Sequence, residues 1–358
     1  MQAGKSMAID ELKDKFAELS LTLQGIKSVI LLCHDNPDPD ALASMLALRY
    51  LLSRHFHIRS TLTYGGEIGR AENKAMARVL AIPVHSLESL RLHKRANFAL
   101  VDTQPAARNH SLPEGAKVLL VFDHHPPKKP LRGVFNHICP ELGATSTLMF
   151  EYLREAKLEI DWHMATALAY ALISETQDLG REARREDIQA YQKLIPKARL
   201  RILSSIKYPI LEHDYFQTLS RALNQTYYYK NIVVTRLGRV NSTDMIHQMA
   251  DLFLRFERRS WSLCIGWNSD FILLSMRSAN TRARCGRMIQ KLVKGKGSAG
   301  GHDMVAGGKV NCQGLAEKEK VRIEELLITR FLSALGHERN LQLLVPIIDQ
   351  KPPYGSPS

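Results

Sequence analysis

The chain has 358 residues, 45% of them hydrophobic and 24% charged, with a formal net charge of +13 and a sequence pI near 9.5. These proportions are those of a folded protein with room for two domains, not of a disordered or fibrous chain, and the positive balance favours a polyanionic partner such as a nucleotide or nucleic acid. Five scattered cysteines without a CxxC pair (Cys33, Cys139, Cys264, Cys285, Cys312) argue against a zinc ribbon and a disulfide scaffold. With no apolar run approaching the roughly 18 residues of a membrane span, the expectation is a reduced, cytoplasmic setting and no membrane partner.

In chain order, residues 1–24 read as an amphipathic N-terminal helix, with Leu12, Phe16, Leu19 and Leu23 at three- and four-residue spacing. Residues 28–33 form a continuous apolar, buried-type strand that stops at His34-Asp35-Asn36-Pro37-Asp38-Pro39-Asp40. Leu42, Met45, Leu46 and Leu52 then mark one face of a helix. Strand patterns recur at 57–64, 98–101 and 118–122, separated by helical patterns such as 71–80; this alternation predicts βαβ units and a parallel sheet. The strand at 98–101 ends at Asp102 and that at 118–122 ends at Asp123-His124-His125. Acids and histidines thus collect at carboxyl ends of strands, where open α/β sheets bind their ligands.

The hydroxyls of Gly143-Ala144-Thr145-Ser146-Thr147 suit a helix start, and the helix runs to about 156. A very apolar helix over 163–173 leads into Ser174-Glu175-Thr176-Gln177-Asp178. The composition then turns charged and mixed, and residues 186–226 read as a helical connector between a first domain over 25–185 and a second over 227–345. The second domain is expected to hold a strand at 232–237, a helix capped by Ser242 or Thr243, and a hairpin of strands 261–267 and 271–276. A basic helix (282–292), a flexible glycine-rich loop (295–308) and a long helix (315–335) complete it. Residues 346–358 read as a disordered tail.

His34, Asp38, Asp40, Asp102, His124 and an acid near 175–178 make a set of oxygen and nitrogen donors without a thiolate, suited to Mn²⁺ or another hard to borderline divalent ion. Two such ions need a bridging carboxylate, and Asp102 is the natural one. Taken singly, each residue has a plainer role: Asp102 as a turn residue, Asp38 and Asp40 as Asx-turn and N-cap residues around the prolines, the His pair as structure. Their coincidence at strand ends favours a site.

The motifs His34-Asp35-Asn36-Pro37-Asp38-Pro39-Asp40-Ala41, Val101-Asp102-Thr103, Asp123-His124-His125-Pro126, Gly143-Ala144-Thr145-Ser146 and Gly300-Gly301-His302 resemble, in order, those of the DHH phosphoesterase superfamily. The branch is the one with the DHH-associated C-terminal domain, which includes RecJ-type exonucleases, nanoRNases with pAp phosphatase activity, and cyclic di-AMP or pApA phosphodiesterases. The resemblance implies an α/β fold: a parallel-sheet DHH domain and a smaller α/β C-terminal domain, joined by the helical connector, with the active site in the interdomain cleft. It implies two Mn²⁺ ions, with Mg²⁺ or Co²⁺ as substitutes. His34 and Asp38 would hold one, Asp40 and His124 the other, and Asp102 would bridge. Asp123 would orient a histidine, and His125 would lie close to the scissile phosphate, with an activated water as nucleophile. Glu175 stands where the family has an aspartate; Asp178, about one turn further on if the helix continues, is the alternative ligand.

In the second domain the resemblance assigns Arg277, Gly300, Gly301 and His302 to substrate, with Ala299 replacing the first glycine of the family's loop. Arg282, Arg284, Arg287, Lys291, Lys294 and Lys296 form either a basic track or a solvated face, and Tyr227, Tyr228 and Tyr229 are better read as strand burial than as base-stacking platforms. The implied activity is Mn²⁺-dependent hydrolysis of short single-stranded oligonucleotides to nucleoside monophosphates, with pAp as a further substrate. The alternatives are a cyclic di-AMP or pApA phosphodiesterase and a catalytically impaired nucleotide-binding regulator. A pyrophosphatase of the same superfamily is disfavoured by Gly300-Gly301-His302. A homodimer is compatible with all of these.

Overall fold

The computed structural model describes residues 11–348 apart from 94, 128, 132, 302 and 339. It divides into two compact units, residues 1–210 and 211–358. The first contains helix α1 (Leu12–Thr22), strand β1 (Ser28–Leu32), α2 (Pro39–Arg54), β2 (Arg59–Tyr64), α3 (Ala71–Val79), β3 (Val84–Ser86), β4 (Asn97–Val101), β5 (Lys117–Asp123) and β6 (Phe135–Ile138). Helices α4 (Thr145–Glu155), α5 (Trp162–Glu175), α6 (Arg185–Leu194) and α7 (Leu200–Lys207) follow. The six strands form one parallel sheet in the order β3-β2-β1-β4-β5-β6.

The unbroken apolar strands are explained by burial on both faces. Val29, Leu31, Ala99, Val101, Leu120 and Phe122 face the core built with α2, α4 and α5, while Leu32, Phe98, Leu100 and Val121 face a smaller cluster under the loops near Leu87, Leu112 and Leu131. The order of β1 and β4 matters most. Chain progression moves outward from β1 through β2 to β3, then returns to β4 beside β1 and moves the other way, so the carboxyl ends of β1 and β4 flank the crevice that such a reversal opens. No helix among the described residues is long and apolar enough to cross a membrane.

The second unit holds α8 (His213–Asn224), β7 (Thr226–Tyr229), β8 (Ile232–Arg239), α9 (Asp244–Leu254), β9 (Trp261–Trp267), β10 (Phe271–Ser278), α10 (Cys285–Val293), β11 (Gly297–Gly301), β12 (Val305–Asn311), α11 (Glu317–Ala334) and β13 (Val345–Pro346). Its sheet runs β11-β12-β10-β9-β8-β7-β13, antiparallel except between β8 and β9. The turn from β9 to β10 is closed by Asn268 Oδ1, which accepts the N–H groups of Asp270 and Phe271 at 3.0 and 2.8 Å.

Several expectations change. The segment read as a connector supplies three helices, of which α6 and α7 fall in the first unit and α8 in the second. The glycine-rich stretch is not a flexible loop but the paired ribbon β11–β12, because residues without side chains can pack backbone on backbone. Strands β3 and β6, short and with mixed composition, gave no sequence signal. Residues 1–10 of the N-terminal helix and 349–358 of the tail lie outside the described residues. Tyr228 is half-buried, its ring edge-to-face with Phe256 and under the guanidinium of Arg259.

A buried histidine ties α4 to the sheet edge. His137 on β6 is 3% exposed, and its Nδ1 lies 2.7 Å from the Tyr152 hydroxyl. Burial, helped by the charge of Lys15, pushes its pKa down to about 4. Because the unfolded chain titrates near 6.5, stability should be fully present above that pH, fall as pH drops from about 6.5 to about 4, and level off below, a loss on the order of 3 kcal/mol. Urea denaturation across this range should show a shallower pH slope for His137→Gln than for the native chain.

Candidate metal centre

The apolar β1 ends where Pro37 and Pro39 stiffen the chain, and Asp38 serves two purposes there. Its Oδ1 caps α2 by accepting the N–H of Ala41 at 2.9 Å, while Oδ2 lies 3.5 Å from Nε2 of His34. Proline at the first helical position leaves no donor to waste, so the cap and the turn are both encoded locally. His34 Nδ1 lies 3.0 Å from the carbonyl of Asp35, which fixes the ring and turns Nε2 toward Asp38 and, at 3.4 Å, Asp102 Oδ2.

Asp102 follows β4 with a left-handed φ of 58°, a conformation that aspartate tolerates better than most side chains, and is 2% exposed. Its Oδ1 accepts the Thr145 hydroxyl at 2.8 Å and lies 3.7 Å from His124 Nε2 and 3.9 Å from His125 Nδ1. Ligand atoms of His34, Asp38 and Asp102 lie within 4.8 Å of one another, as do those of Asp102, His124 and His125; Asp102 is common to both groups. Burial alone would raise its pKa, but the bond from His34 and the charges of His124 and His125 hold it below the usual carboxylate range.

Asp123, at the end of β5, is saturated by donors. Oδ1 accepts the backbone N–H groups of His124 and His125 at 2.9 and 3.2 Å and the Nδ1–H of His125 at 2.8 Å, and Oδ2 accepts Gln104 Nε2 at 2.8 Å. Its work is therefore to aim His125. Burial disfavours the imidazolium, yet the Asp123 bond and the charge of Asp102 lift the His125 pKa to about 9.

Asp40 sits behind this cluster, fully buried, with Oδ2 and Oδ1 accepting the N–H groups of Thr145 and Ser146 at 2.7 and 2.9 Å. The cap of α4 is thus a carboxylate from another helix, whereas the hydroxyls expected to cap it turn elsewhere: Thr145 to Asp102 and Thr147 to Asp187. Burial and the charges of Asp102, Glu175 and Asp38 raise the pKa of Asp40 well above its ordinary value. Glu175, the last residue of α5, is pushed up to about 8 by burial and by the charges of Asp38 and Asp102, against His125 and Arg181. The helix does not continue past it. Gln177, Asp178 and Leu179 take φ of 49, 58 and 64°, and Asp178 is 64% exposed in an ion pair with Lys207 at 2.5 Å.

Two contributors carried no sequence signal. Gln104 braces Asp123 and the His125 carbonyl, and Asp187 on α6, fully buried, accepts from Gly143 N, Thr147 Oγ1 and Arg184 N at 2.8, 2.5 and 2.7 Å. A Cβ at Gly143 would fall 2.7 Å from Asp187 Oδ2, so only glycine admits this approach. In the second unit, Arg277 on β10 is 7% exposed and bonded to Asp251 Oδ1, Ser275 Oγ and the Met276 carbonyl at 2.5, 2.8 and 3.1 Å. Gly300 and Gly301 lie on β11; since Gly301 pairs with Ala306 and Arg277 with Val305, Gly301 and Arg277 occupy the same end of that sheet. His302 lies outside the described residues.

The first-unit cluster fits a divalent ion. His124 Nε2 is buried without a hydrogen-bond partner, and carboxylates accumulate beyond what the neighbouring histidines neutralise. The donors are oxygen and nitrogen only: Cys33 adjoins His34, but burial pushes its thiol up to about 12 and its Sγ is turned to the Thr63 carbonyl at 3.8 Å.

Residues 28–173 match the family model described as the DHH family, N-terminal domain. An uncharacterized protein of Methanocaldococcus jannaschii is 31% identical over 340 residues, covering 93% of this chain and 69% of that protein. Among solved structures, an exopolyphosphatase-related protein from Bacteroides fragilis shares the fold at a TM-score of 0.65 with 15% identity, over 90% of this chain and 98% of that one. A putative family II inorganic pyrophosphatase of Methanococcus jannaschii overlaps 86% of this chain and 99% of its own at 17% identity, with a TM-score of 0.46. On the family match, the motifs at its strand ends and the 31% identical relative, the chain belongs to the DHH family of phosphoesterases.

Proposed function

We propose that the chain is a Mn²⁺-dependent phosphodiesterase that hydrolyses short single-stranded oligonucleotides to nucleoside monophosphates and also dephosphorylates pAp. The observation that carries this reading is the gathering of His34, Asp38, His124 and His125 around the single carboxylate of Asp102. His34, Asp38, Asp102 and His124, with Asp40 and Glu175 beside them, would hold two divalent ions. When bound, such ions supply Lewis-acid stabilisation of the phosphoryl oxygens and a lowered pKa for water.

The remaining chemistry belongs to the side chains. Hydrolysis forms a phosphorus–oxygen bond to water and breaks the one to the leaving nucleoside, whose oxygen must gain a proton. His125, with Nδ1 fixed by Asp123 and Nε2 turned from that bond, is suited to donate it. Arg277 and the β11 glycines supply a fixed guanidinium and bare backbone for a nucleotide end. The excess of basic residues suits a polyanionic substrate.

Purified protein with Mn²⁺ and a labelled di- to pentanucleotide should release mononucleotide; intact binding without release would overturn the reading. Asp102→Ala should lose Mn²⁺ binding by calorimetry and lower kcat/KM by about three orders of magnitude or more. Retention of appreciable Mn²⁺-dependent hydrolysis by that variant would remove Asp102 from its bridging role. His302→Ala should instead raise KM about tenfold with kcat little changed.

A further inference from the structure

Besides His125, Arg181 is a cation whose charge acts on the acidic cluster. Helix α5 ends at Glu175, and the left-handed run Gln177, Asp178, Leu179 turns the chain back until the N–H of Arg181 bonds the Thr176 carbonyl at 2.8 Å. Three consecutive non-glycine residues in this region are strained, and such strain persists where the surroundings impose it, commonly at functional sites. The returning segment lies against the turn that holds Asp40 and Asp102: a Cβ at Gly143 would fall 3.0 Å from both Thr176 Cγ2 and the Glu182 carbonyl. Arg181 is therefore anchored beside Glu175 on one side and the Gly143–Thr145 turn on the other.

Its side chain is used neither in an ion pair nor in a ring contact among the described residues. Arg236 pairs with Glu324 at 2.9 Å and Arg277 with Asp251 at 2.5 Å; among the described residues Arg181 Nε and Arg259 Nε are buried without a hydrogen-bond partner, and Arg259 is stacked on Tyr228 and Phe256. The charge of Arg181 acts on Glu175, opposing the rise that burial and the neighbouring aspartates produce. The clustered charges of Asp38, Asp102 and Glu175 repel a polyanion, and a guanidinium supplies the opposite charge and a planar fork that matches two phosphate oxygens.

We infer that Arg181 is a phosphate-contacting residue of the first unit, its guanidinium binding the non-bridging oxygens of the phosphoryl group presented to Asp102 and His125. The inference rests on the proposed hydrolase. It gives the first unit its own anion contact, separate from Arg277.

Native protein, Arg181→Gln and Arg181→Lys can be compared in three measurements: inorganic phosphate binding by ³¹P NMR with Mn²⁺ present, Mn²⁺ binding by calorimetry, and steady-state hydrolysis of a dinucleotide. Arg181→Gln should weaken phosphate binding and raise KM by about tenfold each while leaving Mn²⁺ stoichiometry unchanged, and Arg181→Lys should recover part of the loss. Native phosphate affinity and KM in Arg181→Gln would overturn the assignment. So would loss of Mn²⁺ binding or of the folded circular dichroism signal in both variants, which would make the residue structural. If the native chain binds phosphate through Arg181 but hydrolyses no phosphoester, the hydrolase reading falls and the assignment of Arg181 stands.

Discussion

Mutual repulsion among buried carboxylates is the constraint around which the first unit is built. Asp40 and Asp102 are nearly inaccessible, Asp38 and Glu175 act on Asp40, and Asp38 and Asp102 act on Glu175. Charges in such a place persist only when hydrogen bonds replace water. Asp40 takes two backbone N–H groups at the positive end of α4, Asp38 caps its own helix, and Asp102 accepts from Thr145 and faces three imidazoles. The caps of two helices are therefore also walls of the site, and disturbing either helix start moves a candidate ligand. Glu175, which sits at a helix end, carries its burial and the repulsion of its acidic neighbours as a raised pKa.

A second layer holds the first in place. Asp187 clamps Gly143 and Thr147, the clamped turn presents Thr145 to Asp102 and two N–H groups to Asp40, and Gln104 steadies Asp123, which aims His125. Helix α6 thus contributes to the site through positions that never approach Asp102 directly. This explains why the compact unit extends well beyond residue 173, where the family match ends.

Much of this was legible in the residues. Strands that end in His34, Asp102 and Asp123 announced a parallel sheet with chemistry at its carboxyl ends, because period, apolarity and ligand type all change at the same position. What was not legible depends on long-range geometry. Asp187 lies 44 residues from the glycine it holds, and Gln104 looks like any loop glutamine. The end of α5 was also hidden: nothing in Gln177-Asp178-Leu179 signals three left-handed residues, a conformation set by the carbonyls of Ile173 and Thr176 that accept from Asp178 and Arg181. The glycine-rich stretch misled for the opposite reason, since glycine signals backbone freedom in isolation but backbone proximity when another strand or helix is near.

That proximity bears on the edge of the second sheet. Its open margin at β11 is Gly297-Ser298-Ala299-Gly300-Gly301, a strand with no side chain larger than serine. Gly286 of α10 brings helix backbone against it: a Cβ there would fall 2.4 Å from the Gly301 carbonyl oxygen. Glycine is a weak strand former, and the charges of Lys294 and Lys296 precede the strand, where they oppose pairing with a β-strand of another molecule. A bare margin offers no side chains of its own to turn a neighbour away, so its protection falls to those flanking lysines.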